Sequence, residues 1–134
     1  MIDDTAKKAL LLEAHRLIEA ATADALNSIE GTTKLTYPPA GPDGGGLSSD
    51  EQQAILALNL SVAAKGAIRK IVSNAIADAF AGLFCVIDGV GDPHDWQGST
   101  WQGVELAQSE KGRDRPMLHD EFYETYWDFV ERSG

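Results

Sequence analysis

Ile68, Ile71, Val72, Ala75, Ile76, Ala79, Phe80, Leu83, Phe84 and Ile87 follow one another at alternating steps of three and one. That is the period of an α-helix held for about five turns, and a strand, which repeats every second residue, does not produce it. Lys65, Arg69, Lys70, Ser73, Asn74 and Asp78 take the other side. Beyond Asp78 the polar side disappears, replaced by Ala81, Gly82, Cys85 and Val86. A helix that begins amphipathic and ends apolar all round predicts a core element, half-exposed at its start and buried at its end. The chain is therefore expected to be mainly α, a compact helical domain around a central apolar helix over 67–88. The branched and aromatic run Leu83–Ile87 also suits a strand, but the helical period upstream favours helix. Asp88-Gly89 ends it.

The elements around it follow from their own patterns. From Asp4 to Glu30, Leu11, Ala14, Ile18, Ala21 and Ala25 recur at steps of three and four, widened by Leu10 and Leu17. Asp3, Asp4 and Thr5 supply a cap and negative charge at the start, and Gly31 suits the left-handed residue after the end, so this segment predicts an amphipathic helix. Residues 31–47 hold three of the five prolines and five of the thirteen glycines. That density excludes regular structure and predicts a Gly/Pro-rich loop. Its Gly44-Gly45-Gly46 run lacks the following Lys-Ser/Thr and the preceding strand of a phosphate-binding loop. Tyr37, beside Pro38-Pro39, is positioned to dock on the rest of the protein.

Ser48-Ser49-Asp50-Glu51 has the spacing of a capping box, in which Ser48 and Glu51 satisfy each other's amides. The helix after it carries Ile55, Leu58 and Val62 on one line, with a break or kink expected around Lys65-Gly66. Near 100–118, Trp101, Val104 and Leu106 among polar residues, followed by Glu110-Lys111-Gly112-Arg113, suggest a short β-hairpin, with an irregular loop as the alternative. A last helix is expected from Met117 or Leu118 to about Glu131. It has Leu118, Phe122, Tyr126 and Phe129 on one side and an acidic line of Asp120, Glu124, Asp128 and Glu131 on the other, flanked by Tyr123 and Trp127.

The 134 residues fit a single domain, 1–134. Their net charge of −10 is unevenly placed, with four bases against ten acids after Val90. Such a balance disfavours nucleic acid and anionic membranes and suits a basic protein partner, or simply a well-solvated surface. Cys85 stands alone, which excludes an internal disulfide and fits a reducing compartment. The first residues lack the basic and apolar regions of a signal peptide, and charged residues interrupt the longest apolar stretch. The expected location is cytoplasmic.

Little in the chain has the form of a catalytic site. The Asp88–Asp95 turn gathers Asp88, Asp92, His94 and Asp95, the only metal candidates, but without the alternate spacing and closing Glu of a calcium loop or the His/Cys content of a zinc site. A helix stop followed by a turn explains the same residues. Cys85, inside the apolar helix, reads as a small core residue. His15, His94 and His119 share no motif, and His119 beside Asp120 makes an ordinary surface pair. No cofactor is implied, and an enzyme is the minority reading. The strongest functional candidates are Asp120, Tyr123, Glu124, Trp127, Asp128 and Glu131, since aromatics beside charge anchor protein interfaces.

Two short stretches, Val86-Ile87-Asp88-Gly89-Val90 and Leu118-His119-Asp120-Glu121-Phe122, occur in an order that resembles small acidic bacterial proteins of uncharacterised or immunity-protein type. The resemblance implies no catalytic residues. It implies a non-enzymatic protein–protein interaction module that neutralises or regulates a basic partner through its acidic, aromatic C-terminal surface. Two alternatives stand beside it: a homo-oligomeric helical protein of structural role, with a homodimer as its simplest form, and a small ligand- or metal-binding enzyme using the Asp88–Asp95 turn.

Overall fold

The computed structural model describes residues 2–31, 34–41, 45–107 and 117–133. They form four helices, α1 (Asp4–Ile29), α2 (Ser49–Leu56), α3 (Val62–Ile87) and α4 (Leu118–Ser133), and no strand among the described residues. The chain divides into two compact units. The first is Met1–Leu26 with Leu60–Ser109, and the second is Asn27–Asn59 with Glu110–Gly134.

α1, α2 and α3 each begin where a short polar side chain takes up unpaired amides. The Asp3 carboxylate accepts from the Ala6 amide at 2.7 Å to open α1. At α2 the capping box forms in both directions. The Glu51 amide donates to Ser48 Oγ at 3.2 Å, and the Ser48 amide donates to Glu51 Oε1 at 2.9 Å. The hydrogen bonds from Ser48 hold the Glu51 carboxyl below its ordinary value. Ser61, whose Oγ accepts from the Ala64 amide at 3.1 Å, caps α3. The break between α2 and α3 therefore falls at 57–61 and not at Lys65-Gly66. Asn59 takes a left-handed φ of 44°, which Asn tolerates better than most residues, and Gly66 lies inside α3. At the far end of α1, Gly31 adopts φ 81° as the C-terminal stop.

The C-terminal end of α3 is held by the segment that follows it, and its last four carbonyls all find donors. Phe84 O accepts from the Asp88 amide at 2.8 Å, and Cys85 O from Val90 at 2.9 Å and Gly91 at 3.2 Å. Val86 O accepts from the Trp101 indole N–H at 2.7 Å, and Ile87 O from the Val104 amide at 2.8 Å. Trp96 meets Trp101 edge to face at 5.0 Å. This contact needs two glycines. A Cβ on Gly89 would stand 2.7 Å from Gln102 O, and one on Gly103 would collide with Ile87 O; both residues also have positive φ, 80° and 84°. The β-hairpin suggested near 100–118 is not seen in residues 101–107, where the Trp101 indole and the Val104 amide bond to the end of α3. The remainder, 108–116, lies outside the described residues.

Burial differs from the sequence expectation. The buried residues among those described are Ala14, Ile18 and Thr22, four apart on α1, with the Thr22 hydroxyl donating to Ile18 O at 2.7 Å. Ala14 and Ile18 belong to the expected stripe, whereas Leu10, Leu11, Leu12, Leu17 and Ala21 are exposed. No residue of α3 is buried. Its expected role as the covered centre is not seen, and Cys85, expected in a core, is exposed. Period reports which residues share a face of a helix, while burial depends on what lies opposite that face.

Candidate functional site

The second unit carries the acidic, aromatic surface. α4 starts where the Asp120 and Glu121 amides reach Met117 O at 3.1 and 3.2 Å. Asp120 and Glu121 sit in its first turn and Arg132 in its last, both favourable to the helix dipole. The helix has the expected start and runs two residues past the expected end.

Its apolar side is met by the loop. The Tyr37 ring stacks on Phe122 at 6.0 Å with an interplanar angle of 16° and meets Tyr126 edge-on at 5.3 Å. Tyr126 in turn touches Trp127 at 5.1 Å and Phe129 at 6.3 Å, while Phe122 contacts Tyr123 at 5.3 Å. Gly41 lies under Trp127, for a Cβ there would come 2.8 Å from the indole ring. Loop residues 34–41 thus hold α4 by one aromatic ring and one glycine. Tyr123 and the loop residues Leu35, Pro38 and Pro39 also line a cleft of about 480 Å³.

Even with the loop in place the surface stays open. Tyr126 is half-buried, but Phe122 is 58% exposed, Tyr123 42% and Trp127 44%. Asp120, Glu124, Asp128 and Glu131 are all exposed. The six expected contact residues therefore share one helix, with two aromatic rings standing beside a line of carboxylates. His119 Nε2 lies 3.2 Å from Asp120 Oδ1, the surface pair that adjacency suggested. What this arrangement offers chemically is negative charge and flat apolar area, which together suit a cationic protein surface.

The other candidates are not gathered in this way. Asp88, Asp92, His94 and Asp95 are exposed along the turn after α3. Among the described residues no three His, Cys, Asp or Glu side chains come together as a metal would require. Gly45 and Gly46 line a cleft of about 410 Å³ with Lys34 and Gln52. Sequence reasoning missed the parts of Gly41 and Tyr126, the one as a floor for Trp127 and the other as the hub of the ring contacts. The Pro/Gly density around Gly41 marks a loop without saying where it docks.

The chain matches no protein family, no curated protein and no solved structure.

Proposed function

We propose that the protein is a non-enzymatic protein-binding module of the immunity or inhibitor type, acting in the cytoplasm, that engages a basic partner through α4. One observation carries this reading: Tyr37 contacts Phe122 and Tyr126 and Gly41 lies under Trp127, while Phe122, Tyr123 and Trp127 stay part-exposed next to the exposed Glu124 and Asp128. Binding aromatics held in place before the partner arrives lose less conformational freedom on association. The carboxylates would steer a cationic partner and set its register, and the rings would supply contact area. The −10 net charge extends that steering over the whole chain.

The test is affinity capture from the native host with the wild type and with the Glu124→Lys/Asp128→Lys variant. A basic protein retained by the wild type should bind the variant at least about tenfold more weakly, because two favourable charge contacts become repulsive. Far-UV circular dichroism should remain unchanged. A retained protein whose binding is indifferent to the reversal removes the proposal.

A further inference from the structure

The first turns of α1, the end of α3 and residues 104–106 enclose a cleft of about 340 Å³. All of its lining belongs to the first unit, so its shape is set within that unit. The wall is mostly apolar: Leu10 and Leu11 come from α1, Phe84 and Ile87 from α3, and Val104 and Leu106 from the segment that closes it. That wall is formed in advance of any ligand. The Val104 amide is bonded to Ile87 O at 2.8 Å, and Gly89 and Gly103 allow the two stretches of backbone to approach so closely. A pre-formed apolar cleft of this size, with a few polar groups at its edge, has the form of a small-ligand site.

We propose that this cleft binds a small organic amine, its apolar chain or ring against the wall and its ammonium group at Asp88 and Glu105. Charge selects that occupant. The charged residues at the cleft are Lys7, Asp88 and Glu105. The Lys7 ammonium already lies 2.8 Å from Asp4 Oδ1, so the carboxylates of Asp4, Asp88 and Glu105 outnumber the one cation among them. α3 ends at Ile87, in the wall itself, and the negative end of its dipole adds to the same field. An anionic amphiphile such as a fatty acid would gain the wall and be repelled at the edge. A neutral apolar molecule would gain the wall alone. Only the amine is favoured by both.

Octylamine, octanol and octanoate share one chain and differ in head group, which makes them the probes. Titration calorimetry of the full chain should show saturable octylamine binding, with a Kd on the order of 1 mM or tighter for a ligand of this size. Octanol should bind about fivefold more weakly and octanoate more weakly still, since only the amine gains the carboxylates. The Asp88→Asn/Glu105→Gln variant leaves the apolar wall intact. It should lower octylamine to the level of octanol, keep octanol binding unchanged and retain its helical circular dichroism. A second measurement needs no variant to fold: in the wild type, octylamine should shift the methyl resonances of Leu10, Leu11, Ile87, Val104 and Leu106. The proposal is overturned by octanoate binding as tightly as octylamine, or by amine affinity that survives in the folded double variant. Shifts centred on α4 in place of the cleft, or no saturable binding of octylamine, overturn it equally.

Discussion

α3 and α4 both leave large apolar side chains in solvent, and they differ in how their ends and faces are held. α3 is apolar nearly all round. Its C-terminal end is fastened by Trp101 and Val104, while its length carries no buried residue. α4 is sharply two-sided: an acidic line faces away from an aromatic side that the loop partly occupies through Tyr37 and Gly41. Backbone hydrogen bonds and two obligatory glycines secure the first element, and ring contacts secure the second. The contrast shows two independent ways of fixing a helix, one demanding in geometry and the other tolerant of it.

The largest expected effect breaks the first of these. In Gly103→Ala a Cβ would collide with Ile87 O while the residue is forced to keep a φ of 84°. The two penalties together are expected to cost at least about 2 kcal/mol. Chemical denaturation should show the loss, and Trp101 fluorescence should change as its bond to Val86 O opens. A variant as stable as the wild type would mean that the segment does not sit on the end of α3.

A smaller effect is expected from Tyr37→Ala, which removes the stacked and edge-on contacts to Phe122 and Tyr126. Aromatic pairs contribute about 0.5–1.5 kcal/mol beyond their buried area. Trp127 should become more exposed, which red-shifts its emission and quickens its quenching by acrylamide. The α3 end, resting on backbone bonds, should keep its protection from hydrogen exchange. If both regions loosen together, the division into two independently held elements fails.

Much of this was legible in the residues. The period from Ile68 to Ile87 places α3, Ser48 and Glu51 place the start of α2, and the residues after Pro116 place α4 and its two sides. These signals are local: a repeat, a cap and a charge line each act within a few residues of chain. What escaped was set by distant segments. Nothing local to Trp101 says that its indole will seek Val86 O, so the 101–107 run read as half of a hairpin. Nothing in the apolar repeat says whether another element covers it, so α3 read as a core. Ser61 could have been found, since Asn59-Leu60-Ser61 offers a residue tolerant of positive φ followed by a helix cap. The continuous apolar spacing from Ile55 through Val62 concealed it.

The smallest expected effect tests how open α3 is. Gly66 lies within the helix, and a Cβ added there would meet nothing within 4 Å. Gly66→Ala therefore gains helix propensity and restricts the unfolded chain without disturbing any contact, which should stabilise the protein by about 0.5–1 kcal/mol. The melting temperature should rise by a few degrees with the helical signal unchanged. A loss of stability in place of the gain would mean that another surface covers this turn of α3 closely enough to exclude a methyl group.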